Sequence, residues 1–128
     1  MKPQLLVATL ICTFAASGTF ADTLPEGRWS VDIKSKYPFT LQLQTRNGQA
    51  SIPDGRVGES TATRVSTLAA KGRTLVVDVD FTGGRCGANS KGRLALKRND
   101  KGKWNGTWSG HCASNGAKFN AKARASSP

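Results

Sequence analysis

From Trp29 onward, apolar and polar side chains take turns along the chain. Trp29, Val31 and Ile33 alternate with Ser30 and Asp32, and Phe39, Leu41 and Leu43 alternate with Thr40, Gln42 and Gln44. A period of two marks a strand with one face in a core and the other in water, whereas helix-period spacing is nearly absent after residue 21. Arg46-Asn47-Gly48-Gln49 follows, and its Asn-Gly pair suits the positive φ angles of a two-residue hairpin turn. Ala50 to Ile52 reads as the returning strand, stopped by Pro53-Asp54-Gly55. The Thr- and Ser-rich stretch beyond it has an ambiguous inward face, with a strand expected near Thr61 to Leu68.

The second half repeats the pattern more clearly. Leu75, Val77, Val79 and Phe81 face one way, and Val76, Asp78 and Asp80 the other, until Gly83-Gly84 breaks the run. Leu94 and Leu96 alternate with Arg93, Ala95 and Lys97. After the turn Asn99-Asp100-Lys101-Gly102, Trp104, Gly106 and Trp108 alternate with Lys103, Asn105 and Thr107. Ser114-Asn115-Gly116 then turns into a last strand, where Phe119, Ala121 and Ala123 oppose Lys118, Asn120, Lys122 and Arg124. About eight strands with short links predict an all-β fold, a small antiparallel up-and-down meander that closes into a β-barrel to remove its unpaired edges.

Ahead of the alternation, Lys2, an apolar run from Leu5 to Ala16 and the small residues ending Thr19-Phe20-Ala21 read as a secretory signal. Residues 1–21 are therefore expected to leave, with 22–128 forming a single domain too short for a multidomain enzyme. No later stretch approaches the roughly 18 apolar residues of a membrane span, so no transmembrane segment is expected. Cys12 departs with the signal, and the remaining pair, Cys86 and Cys112, is expected to form a disulfide in an exported chain, periplasmic or secreted. If residues 92–98 run up and 103–109 run down, both cysteines lie at the same end of that hairpin.

Gly27-Arg28-Trp29, just before the first strand, resembles the G-x-W start of the calycin barrels, the lipocalins and avidins. In those families a basic side chain from the last strand packs over the Trp ring. The resemblance implies Arg124, or else Lys122, in that place, and a barrel whose interior takes a small ligand. There is no lipocalin-like T-D-Y motif mid-chain, and Val31-Asp32-Ile33-Lys34 lacks the Asn of an avidin biotin site. What the resemblance carries over is the barrel rather than the ligand.

Residues able to do chemistry are few. His111 is the only histidine and sits beside Cys112, but strand neighbours point to opposite faces, so it cannot orient that sulfur. No catalytic set, no metal site and no cofactor is expected. Cys86, His111 and Cys112 lack the paired short spacings of a zinc site, and Gly83-Gly84-Arg85-Cys86-Gly87 opens no helix that could cradle a phosphate. Asp78 and Asp80 are the only close carboxylates on one strand face. A pair of that kind could serve glycoside hydrolysis, but Arg93 and Lys97 on the next strand predict salt pairing instead. Asn105-Gly106-Thr107 is a formal glycosylation sequon, relevant only in a eukaryotic chain.

Charge supplies the strongest functional signal. The chain has 19 Lys+Arg against 8 Asp+Glu, a formal net charge of +11. Residues 22–84 are close to balanced, with 8 basic and 7 acidic side chains, whereas residues 85–128 hold 10 basic side chains and a single acid, Asp100. Alternation puts Arg93, Lys97, Lys103, Lys118, Lys122 and Arg124 opposite the apolar face, as one continuous basic patch if the last three strands are neighbours. Arg98 and Lys101 would extend it at the hairpin tip. Asn105, Thr107 and Asn120 interleave with these cations, while the Trp and Phe residues fall on the other face.

Dense like charge repels itself, so the patch points to a polyanion or acidic protein partner: lipopolysaccharide, acidic polysaccharide or non-specific nucleic acid on the polyanion side. The expected function is a non-catalytic exported binding or inhibitory module. The alternative is a small-ligand carrier, which needs open space among Trp29, Trp104, Trp108, Phe39, Phe81 and Phe119.

Overall fold

The computed structural model describes residues 24–128. The expected signal, residues 1–21, and Cys12 lie outside the described residues. The described residues form nine strands in chain order: β1 Gly27–Lys34, β2 Phe39–Arg46, β3 Gln49–Ser51, β4 Arg56–Val57, β5 Ser60–Lys71, β6 Thr74–Gly84, β7 Lys91–Arg98, β8 Trp104–His111 and β9 Lys118–Ser126. Among the described residues no helix is long and apolar enough to cross a membrane. Eight strands match the runs of alternation. The ninth, β4, is two residues long, too short for any period to register.

All pairings are antiparallel, in the order β3-β2-β1-β9-β8-β7-β6-β5-β4. The sheet curls as a half-barrel. Its first and last long strands are joined, Val31 opposite Ala125 and Ile33 opposite Ala123. Its ends are β3 and β4, and a bond from the Ala50 N–H to Thr67 Oγ1, 2.8 Å, links β3 to β5 across the gap. The turn before β3 has Asn47 at φ 53° and Gly48 at φ 73°, the left-handed pair the Asn-Gly sequence predicts.

Alternation fixes what the curl encloses. Trp29, Val31, Ile33, Leu41, Leu43, Leu75, Val77, Val79, Leu94, Leu96 and Trp104 are each 0–1% exposed, so a water-sized probe scarcely touches them. Two aromatic clusters occupy opposite ends of this core. Trp29 meets Trp104 edge to face at 4.9 Å between centroids, and Trp108 stacks on Phe119 at 5.6 Å with Phe81 edge-on at 6.2 Å. Gly106, between Trp104 and Trp108 on β8, leaves no room for a Cβ, which would strike the Ala95 carbonyl. Gly92 likewise lies under the Trp108 ring.

Cys86 and Cys112 are joined, with Cα atoms 4.6 Å apart, at the end of the sheet where the β6–β7 and β8–β9 loops meet. Fully buried Ser90 knits the same loops: its hydroxyl donates to the Cys86 carbonyl at 2.8 Å and accepts from the Ala113 N–H at 2.7 Å. A disulfide spanning 26 positions restricts the unfolded chain by about 3–4 kcal/mol in the chain-entropy account. Replacing both cysteines with Ser is expected to lower the urea-unfolding free energy by that amount. A loss below about 1 kcal/mol would mean the loops are held by Ser90 and the ladder alone.

Candidate functional site

The outer face can be read strand by strand from the register. Arg124 of β9 lies directly between Asp32 of β1 and Asn105 of β8, and Asn105 is opposite Lys97 of β7. One pleat along, Lys122 lies between Lys34 of β1 and Thr107 of β8. Toward the disulfide end, Lys118 is opposite His111, which is in turn opposite Lys91. Adjacent strands stand about 4.8 Å apart, so each row is a close series of side chains. Lys34, Lys97, Lys103, Lys118, Lys122 and Arg124 are all exposed.

Ion pairing divides this face. Arg93 donates from Nε to Asp78 Oδ1 at 2.6 Å and from a terminal nitrogen to Oδ2 at 3.0 Å, a two-pronged grip. Lys91 reaches Asp80 at 3.2 Å, Arg85 reaches Glu59 at 2.9 Å, and Arg73 reaches Asp100 at 3.1 Å. Among the described residues no ion pair involves Lys34, Lys97, Lys103, Lys118, Lys122 or Arg124. The carboxylates are therefore matched on the β6–β7 side, while the wall from β7 through β8 and β9 to β1 keeps its cations. Asp32, the acid on that wall, accepts from the Thr40 hydroxyl at 3.0 Å.

Three expectations change. Arg124 does not cover Trp29: its register partner is Asp32, so it stands on the outer face while Trp29 points into the core. The Trp29 indole instead packs on Trp104 and donates its N–H to Thr45 Oγ1 at 2.9 Å. Lys97 is opposite Thr74 rather than beside a carboxylate, and Lys91 takes Asp80. Arg98 shares the inward parity of Leu94 and Leu96, is half-buried, and has a buried Nε without a hydrogen-bond partner among the described residues. Tyr37 of the β1–β2 loop is an exposed aromatic, 68% exposed, with Lys36 and Arg85 beside its ring.

Lys34 is the residue that sequence reading missed. It faces outward by the alternation of Trp29, Val31 and Ile33, and the β1–β9 pairing brings the first strand beside the last. Combining those two facts puts Lys34 next to Lys122.

The Arg93 guanidinium holds the Asp78 carboxyl below the usual carboxylate range, chiefly by hydrogen bonding; burial opposes this, and the charges of Arg93 and then Lys91 add smaller lowering effects. A carboxyl whose folded value is depressed stabilises the fold above its unfolded value, and that contribution is lost as pH falls through the folded one. Asp78→Asn should therefore flatten the acid limb of the stability curve below about pH 4 and cause only a small loss at neutral pH, since the pair is half-exposed. Urea unfolding at pH 7 and pH 3 would check this; an unchanged acid limb would contradict it.

A groove of about 340 Å³ crosses the outer face near the disulfide end, lined by Asp78, Asp80, Lys91, Arg93, Ser109 and His111 with the intervening backbone. Ser109 is opposite Arg93 and His111 opposite Lys91, so a basic side chain separates each of them from the carboxylates. Among the described residues no group of three His, Cys, Asp or Glu could hold a metal ion.

Comparison of the chain with protein-family models, with curated proteins and with solved structures finds no match.

Proposed function

We propose that this chain is a non-catalytic exported binding or inhibitory protein, and that the outer wall of β7, β8, β9 and β1 holds a polyanion. The observation carrying this reading is Lys34 directly opposite Lys122, both exposed and neither paired with a described carboxylate. Like charges directly across a ladder destabilise a sheet, and an anion lodged between them offsets that repulsion. Arg124, Lys97, Lys118 and Lys103 continue the same wall. The disulfide is in keeping with an oxidising compartment.

A polyanion fits the wall better than an acidic protein does. Stable protein interfaces are anchored by aromatic or aliphatic side chains in desolvated pockets. Between these cations the wall presents Asn105, Thr107, Ser109 and Asn120 instead, which suits a hydrated, repeating, charged ligand. The carrier reading is disfavoured by the core, where the inward side chains of β1, β2, β6 and β7 leave almost no surface open to water.

Titration of the folded protein with medium-chain polyphosphate over a salt series tests the proposal. The logarithm of the association constant should fall linearly with the logarithm of salt concentration, as bound counterions are released. Binding that ignores salt, or no binding at low salt, would refute it. Native mass spectrometry finding an apolar molecule carried through purification would favour the carrier instead.

A further inference from the structure

The β1–β2 loop sets Tyr37, the only tyrosine of the chain, at the end of the sheet that holds the disulfide. It is 68% exposed, where every tryptophan is buried. The loop holds it in place: the Ser35 hydroxyl donates to the Tyr37 carbonyl at 2.8 Å, and Pro38 restricts the residue before it. Lys36 Nζ and the Arg85 guanidinium carbon each lie 5.7 Å from the ring centroid. That is near the outer limit of a cation–π contact, so the ring has two cations beside it and most of its surface still open. Arg85 is itself positioned by Glu59.

We infer that Tyr37, Lys36 and Arg85 form a ring-binding subsite at the end of the basic wall, and that the polyanion it takes is an acidic polysaccharide. This rests on the polyanion reading of the wall and narrows it. Lys34 is three positions from Tyr37 in the chain and opens the paired rows of cations. A sugar ring lays its apolar C–H face on an aromatic ring, and an acid group on that sugar meets the flanking cations. The hydroxyls of the following units find neutral donors and acceptors in Thr107, Ser109 and Asn120. Single-stranded nucleic acid is the weaker fit, because its binders stack successive bases on several aromatic side chains, and one exposed ring serves one base.

Three ligands separate these possibilities: a heparin octasaccharide, with acid groups on rings; polyphosphate of comparable charge, with no rings; and an oligothymidylate. Tyr37→Ala and Tyr37→Phe would be compared with the parent, with matching circular dichroism and melting curves confirming the fold. Tyr37→Ala is expected to weaken the octasaccharide roughly three- to tenfold, with Tyr37→Phe close to the parent and polyphosphate unchanged for both. Equal loss on octasaccharide and polyphosphate, or no loss on either, would overturn the subsite while leaving the basic wall intact. A loss confined to oligothymidylate would overturn the polysaccharide assignment in favour of nucleic acid. If the parent binds none of the three, the wall fails, and the subsite with it.

Discussion

Trp29→Ala is expected to lower the unfolding free energy by about 3–5 kcal/mol, the range for deleting a large aromatic from a packed core. Trp29 is fully buried, and its ring edge-packs on Trp104 at 4.9 Å. Its N–H donates to Thr45 Oγ1, and the Thr45 hydroxyl in turn donates to the Pro25 carbonyl at 2.9 Å. The substitution thus opens a cavity, removes an aromatic contact, and takes a partner from a threonine only 2% exposed. For a domain of this size the melting temperature should drop by roughly 15–25 °C. Trp29→Phe restores much of the volume without the N–H, and should recover more than half of the loss. If Trp29→Ala costs less than about 1 kcal/mol, the end of the core near Trp29 is not packed as described.

Reversing Lys34, Lys97, Lys122 and Arg124 to Glu should weaken polyphosphate binding by at least a hundredfold at low salt, on the order of 3 kcal/mol. All four side chains are exposed, and none pairs with a described carboxylate, so their charge is available to a ligand rather than spent within the fold. Each phosphate they neutralise on a single-chain polyanion adds about 0.7 to the steepness of the salt dependence. The variant's log–log slope should therefore be shallower by roughly three. Stability should fall by only about 1 kcal/mol: the Lys34–Lys122 repulsion is exchanged for an equivalent repulsion between glutamates, while Arg124→Glu sets a second acid opposite Asp32. Unfolding curves would confirm that lost binding is not lost structure.

The strands were largely legible because a half-buried sheet writes its geometry into a period of two. Leu75 to Phe81 and Trp104 to Trp108 identify their faces residue by residue. Pairing between sequence neighbours follows from short turns, which is why the Cys86–Cys112 bridge and a salt pair for Asp78 could be anticipated. The partner of Asp80 was not legible, since register depends on where each turn begins, and the choice between Lys91 and Lys97 is a shift of several residues. Long-range pairing was harder still. The β1–β9 join brings Lys34 beside Lys122 and leaves Asp32 opposite Arg124, which no local pattern records. That join also explains why Arg124 cannot cap Trp29, since residues on opposite faces of paired strands do not meet. Tyr37 carries no periodic signal because it sits in a loop, and its exposure follows from the turn that Ser35 and Pro38 impose.

On the polyanion reading, the positive charge acts from one place on the sheet. The direct test sets the wall variant against a control in which Arg46, Arg56, Arg64 and Lys71 become Glu. These four are exposed cations on β2, β4 and β5, and both variants carry the same net charge. Affinity for polyphosphate would be measured for the parent and the two variants in one buffer. The wall variant should lose at least a hundredfold and the control less than about fivefold, since only long-range attraction is reduced there. Equal losses would mean that net charge alone drives binding, and would contradict a site on β7, β8, β9 and β1.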